Sequence, residues 1–186
     1  MPGTGVDGVT APPHALLLIG PPGVGKTTVV RAVAGALAGW RLGGFYTEEV
    51  RREGERRGFR LVTPDGRRAF MASVDRPGPP RVGKYGVDVG VVDALARSAL
   101  AIREGIDLYV LDEIGRMECL SPAFVDAMRA LLDAGVGVVA TVGLRGGGFV
   151  AEVKRRPDVT LWELTRANRD EMPARVRAWI GPRASG

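Results

Sequence analysis

The chain has 186 residues, 45% hydrophobic and 25% charged, the profile of a soluble globule with one sizeable core. Its longest apolar runs are far too short to span a bilayer, and its first residues lack the basic-then-apolar pattern of a secretory signal, so no membrane partner is expected. One cysteine (Cys119) and one histidine (His14) exclude a disulfide framework and a Cys/His zinc site and fit a reducing, cytoplasmic setting.

The net charge is +5, carried by arginines spread along the chain. The densest cluster, residues 51–60, holds two glutamates and reads as a solvated hairpin, so nucleic acid is not an expected partner. Of 26 basic residues only three are lysines: Lys26, Lys84 and Lys154. A lysine kept in an arginine-rich chain points to a place where a compact ammonium matters. Lys154 is read as a chance survivor.

Residues 1–13 are rich in glycine and proline and read as a flexible leader, 14–181 as a single domain and 182–186 as a flexible tail. HALLLIG reads as a buried strand, GPPGVGK as a glycine-rich turn, and the spacing of Val30, Val33, Ala34 and Leu37 as a helix ending near Gly39. Residues 44–50, 59–63 and 68–74 read as three strands, followed by a loop over 75–86. Val92, Leu95, Ala99 and Ile102 recur at helical spacing. Residues 108–112 form a strand, and Ser121 and Pro122 open a helix through Phe124, Met128 and Leu131. A strand over 136–141, a short helix over 149–155, a strand over 159–165 and a last helix from Met172 to Ile180 complete the chain. The alternation predicts an α/β fold: a mainly parallel sheet in three layers, helices on both faces, with a β-rich insertion after the first helix.

The strongest motif is Gly20, Pro21, Pro22, Gly23, Val24, Gly25, Lys26, Thr27, a match to G-x-x-x-x-G-K-[ST]. Its glycines let backbone N–H groups converge on phosphate, and the helix that follows adds the positive end of its dipole. Lys26 is expected to reach the β- and γ-phosphates, Thr28 to belong to the same turn, and the Thr27 hydroxyl to ligate Mg²⁺. LYVLDEIG places Asp112 and Glu113 where a strand ends, the usual side for ligands in such sheets. Asp112 is then expected to hold Mg²⁺ through its water shell, and Glu113 to orient the attacking water. Ile114 and Gly115 follow in the same nucleotide-binding segment. Arg116, or Lys84 on a closing loop, would add positive charge; both also fit a plain surface role. In TRANRD, Asn168 either reads a base edge or caps the last helix, and Arg169 offers a plane that stacks on a base. Trp40 and Trp162 read as core, His14 as packing, and Cys119 as an inert small residue.

In order along the chain, GPPGVGKTT, GGFYTEEVRREGERRGF, RVGKYGVDV, LDEIGRMEC and NRD together resemble one family. It is the P-loop nucleoside-triphosphatase family that includes the cancer-related nucleoside-triphosphatase of animals and its bacterial and archaeal relatives. The resemblance implies Mg²⁺-dependent hydrolysis of ATP, GTP and other triphosphates to diphosphate and phosphate, with broad base tolerance. It implies nucleotide binding at 20–28 and 112–116. Relatives often carry lysine at the place of Arg116 and vary at that of Lys84. Where they have a proline-bearing turn after Thr141, this chain reads VGLRGGG, which implies a more flexible loop over 142–148.

Two other functions use the same loop. A nucleotide or nucleoside kinase needs an acceptor pocket and a mobile lid, which segment 43–86 would have to supply. A nucleotide-dependent switch for guanine would carry N-K-x-D, which Asn168, Arg169 and Asp170 do not match. The acidic pair favours hydrolysis. Oligomeric state is not legible.

Overall fold

The computed structural model describes residues 14–182. The expected leader lies outside the described residues, as does all of the expected tail but its first residue. Among the described residues, nine strands form one sheet in the order β5-β6-β4-β3-β2-β7-β8-β1-β9. Strands β2 (Leu42–Arg52), β7 (Leu108–Ile114), β8 (Val138–Val142), β1 (Ala15–Ile19) and β9 (Val159–Glu163) run parallel. No helix among the described residues is long and apolar enough to cross a membrane.

The central strands are apolar over most of their length because both faces are covered. On β1, Ala15 and Leu17 face one core while Leu16 and Leu18 face the other; Tyr109 and Val110 divide in the same way on β7. The first core is closed by α2 (Val89–Ala99), α3 (Pro122–Asp133) and α4 (Phe149–Val153). The second is closed by α1 (Lys26–Gly35) and α5 (Met172–Ile180). This is the expected three-layer arrangement. Ser121 caps α3, its hydroxyl accepting from Phe124 N at 2.9 Å, with Pro122 in the first turn where no N–H is needed.

Several expected boundaries move by a few residues, and three of the shifts matter here. The first helix stops at Gly35, because the chain tightens there: Leu37 N donates to Ala34 O and Trp40 N to Leu37 O, three residues back instead of four. The helix of Val92 and Leu95 ends at Ala99, and Ile102 lies beyond it, 50% exposed. Strand β7 does not end at Asp112 but continues through Ile114.

Strand β2 does two jobs. Leu42–Phe45 pair in parallel with β7, and Tyr46–Arg52 pair antiparallel with β3 (Glu55–Val62). The insertion is therefore an outgrowth of the main sheet, continued by β4 (Arg68–Ser73) and by a small hairpin of β5 (Arg81–Val82) and β6 (Tyr85–Val87). That hairpin replaces part of the loop expected over 75–86. Its two strands are too short to leave a periodic signal, and the turn between them rests on Gly83 at φ 58°.

Candidate functional site

The phosphate loop leaves the carboxyl end of β1 and enters α1. Gly25 is the N-cap of α1 at φ 107°, a conformation that side chains resist, and no side chain caps the helix. The first-turn amides of α1 therefore have no intrahelical partners and point outward at the turn. Gly20 is required for a different reason: a Cβ there would meet Leu164 O at 2.6 Å, where β9 leaves the sheet. Val24 anchors the loop by burying its side chain in the α1/α5 core. Pro21, Pro22, Gly23 and Thr28 are exposed around the turn.

Lys26 lies across this loop, its ammonium donating to Gly20 O at 3.0 Å. The same ammonium is 3.8 Å from Glu113 Oε2, so loop and acidic strand face one another. Asp112 is 2% exposed, and both its carboxylate oxygens accept from hydroxyls: Oδ2 from Thr27 at 2.5 Å and Oδ1 from Thr141 at 2.7 Å. The Thr47 hydroxyl donates to the Asp112 carbonyl. Burial pushes the Asp112 carboxyl above its ordinary range, with the two hydroxyls and Lys26 opposing. Burial likewise raises Glu113, against the pull of Lys26. Thr27 and Asp112 thus present adjacent hard oxygen donors beside the phosphate loop. That set fits a divalent ion that takes one or two protein oxygens and leaves the rest to phosphate and water.

The other expected site residues are distributed as follows. Ile114 is fully buried in the core, so only its main chain is available, and its carbonyl accepts from Gly143 N at 3.1 Å. Gly115 is buried, and a Cβ there would meet Glu118 Oε2 at 2.7 Å and Glu113 Oε1 at 2.8 Å. Arg116 is exposed and pairs with no side chain among the described residues. Lys84 belongs to the β5–β6 hairpin at the far end of the sheet, its ammonium 5.6 Å from the Tyr85 ring centroid. Asn168 does not cap α5 with its side chain; Glu171 occupies the N-cap. Its amide closes the loop after β9, Oδ1 accepting from Thr165 N at 2.8 Å and Nδ2 donating to Glu163 O at 2.9 Å. Arg169 packs against the phosphate loop, its Cδ 3.9 Å from where a Gly25 Cβ would stand.

Three residues that sequence reasoning passed over, and a fourth that it set aside as a chance survivor, surround the site. Thr141 and Thr47 reach Asp112 from neighbouring strands; a lone hydroxyl at the end of the apolar run VVAT was the available signal for the first. Glu118 is 4% exposed, and burial raises its carboxyl to about 8, with Glu113 and Asp112 adding to the rise. Lys154, the C-cap of α4, donates to Leu144 O at 3.0 Å, and burial lowers its ammonium pKa with the Glu113 charge opposing. Away from the site, His14 Nε2 bonds the Leu132 carbonyl at 2.9 Å. Trp40 and Trp162 are half-buried against the α1/α5 core, under Arg177 and Arg175.

A glycine-rich turn between the first strand and its helix, with an acidic strand end facing it across a mainly parallel sheet, defines a P-loop nucleotide-binding protein. The family model described as NTPase matches residues 15–177, and the chain belongs to that nucleoside-triphosphatase family. It is 40% identical to nucleoside-triphosphatase THEP1 of Thermotoga sp. (strain RQ2), over 84% of this chain and 90% of that protein. It is 37% identical to the human cancer-related nucleoside-triphosphatase, over 84% and 91% of the two chains. Among solved structures, THEP1 from Aquifex aeolicus superposes with a TM-score of 0.75 at 35% identity, covering 90% of this chain and 99% of that one. The human cancer-related nucleoside triphosphatase gives 0.77 at 35%, covering 90% and 97%.

Proposed function

We propose that this chain, acting as one domain over 14–181, hydrolyses nucleoside triphosphates such as ATP and GTP to diphosphate and phosphate, with Mg²⁺ and broad base tolerance. The single observation that carries this reading is the 3.8 Å approach of Lys26 to Glu113, beside an Asp112 already paired with the Thr27 hydroxyl. Polyphosphate lies along the amides of residues 20–28, and Lys26 leaves the Gly20 carbonyl to reach the β- and γ-oxygens. Thr27 and Asp112 would hold the metal ion, which neutralises charge on those oxygens when bound. Glu113, held beside the loop, accepts a hydrogen bond from the water that attacks the γ-phosphorus in line. Arg116 is free to swing toward charge that develops on the transferring group. Arg169, packed against the phosphate loop, offers a plane on which a base can stack. The Asn168 amide is engaged by Thr165 N and Glu163 O and so is spent on the loop instead of on a base edge, which supports broad tolerance. The lone cysteine supports a cytoplasmic setting.

A panel of ribo- and deoxyribonucleoside triphosphates with Mg²⁺, and no added acceptor, tests the proposal by free phosphate. Release from purine and pyrimidine substrates alike is expected. Diphosphate formation that requires an added nucleoside or nucleotide would make the protein a kinase instead.

A further inference from the structure

Glu113 has a second cationic neighbour. Lys154 follows Val153, which is fully buried with Phe149 and Val150 in the core, so α4 gives the lysine a fixed base. Its ammonium donates to Leu144 O at 3.0 Å. Leu144 is the second residue of the loop over 143–148, and that loop begins against the carboxylate: a Cβ on Gly143 would stand 3.9 Å from Glu113 Oε1. Gly143 N also donates to Ile114 O at 3.1 Å, so the loop is joined to the acidic strand at the residue that follows Glu113. Beyond Leu144 the loop contains Gly146 at φ 151° and Gly148 at φ 53°, with Gly147 between them contacting nothing a side chain would meet. Such a segment has little intrinsic order, and the Lys154 bond supplies some.

Lys26 cannot serve both partners. It lies 3.8 Å from Glu113 here, and a triphosphate in the loop would draw it away to the phosphates. Glu113 would then face added negative charge without its nearest cation, and like-charge repulsion would turn it toward solvent. We propose that Lys154 is a positioning residue for hydrolysis: it holds the loop over 143–148 against Glu113 and remains as that carboxylate's cationic neighbour once Lys26 engages the phosphates. The inference rests on the reading of Glu113 as the group that orients water.

The test compares Lys154→Met, Lys154→Arg, Glu113→Gln and the double variant Lys154→Met/Glu113→Gln, by steady-state phosphate release from MgATP. Lys154→Met is expected to lower kcat about tenfold with KM within about twofold, the signature of an interaction made in the reacting complex. Lys154→Arg should restore most of the loss. In the Glu113→Gln background the Met substitution should have no further effect, because the two residues act as a unit. An equal fall in both backgrounds, or a raised KM at unchanged kcat, would overturn the proposal. Parent-like turnover of Lys154→Met beside a slow Glu113→Gln would overturn it too and leave the hydrolytic site standing. Parent-like turnover of Glu113→Gln would remove the reading beneath it.

Discussion

The hydroxyl of Thr141 on β8 donates to Asp112 Oδ1 on β7 at 2.7 Å, with the two residues 0% and 2% exposed. A buried carboxylate oxygen without a donor loses solvation that nothing replaces. Thr141→Val, nearly isosteric, is therefore expected to lower stability by about 1–3 kcal/mol, while Thr141→Ser keeps most of it. Urea unfolding of the three proteins checks this.

Gly20 and Gly35 make a matched pair. A Cβ on Gly20 would stand 2.6 Å from a backbone carbonyl, whereas one on exposed Gly35 would meet nothing within 4 Å. Gly20→Ala should destabilise by about 1–3 kcal/mol and weaken nucleotide binding, since β1 must move away from the end of β9. Gly35→Ala, at the end of α1, should stabilise by about 0.4–1 kcal/mol. Thermal unfolding and nucleotide titration separate the two.

Glu118 gives stability a pH dependence. Its carboxyl is raised by burial from 4.5 to about 8, so the folded chain keeps a proton that the unfolded chain releases above pH 4.5. Folded-state stability then falls as pH rises from 4.5 toward 8. Glu118→Gln supplies a neutral group of the same shape and should gain on the parent across that window, by at most about 1.4 kcal/mol per pH unit. Denaturant unfolding at pH 5, 6.5 and 8 measures the gap; a constant difference would exclude Glu118 as the group responsible.

Glu48 behaves in the opposite sense. It accepts from Arg60 at 2.7 Å and Arg31 at 2.8 Å, tying the insertion to α1, and the Arg60 bond leads in holding its carboxyl below the usual 4.5. Its contribution is present above that value and lost as acid protonates it. Glu48→Gln should be less stable than the parent by on the order of 1 kcal/mol at pH 7. The gap should narrow as pH falls below 4.5, which the same unfolding measurement follows.

The residues that organise this fold were legible where the signal is local. The glycine spacing around Lys26 shows in eight consecutive letters, Ser121-Pro122 marks its own helix, and apolar runs such as ALLLI reveal strands covered on both faces. What was not legible depends on partners brought together by the sheet. Thr141 meets Asp112 only because β8 lies beside β7, and Lys154 reaches the surroundings of Glu113 only because α4 packs behind the loop after β8. The rarity of lysine made Lys84 a candidate and left Lys154 as a chance survivor, and the positions differ in a way no local signal shows: Lys84 lies in a hairpin at the sheet's end, whereas Lys154 bonds the loop that begins beside Glu113. Asn168 offered two roles by residue type and took a third, because Thr165 N and Glu163 O lie within its reach.

The central claim is that Lys26 and Glu113 share one polyphosphate site in which Glu113 serves the chemistry and not the grip. Glu113→Gln, measured for both MgATP affinity and phosphate release, tests it most directly. Affinity within about threefold of the parent and release slowed by about a hundredfold or more are the predicted results. Release at the parent rate with affinity unchanged would contradict the account.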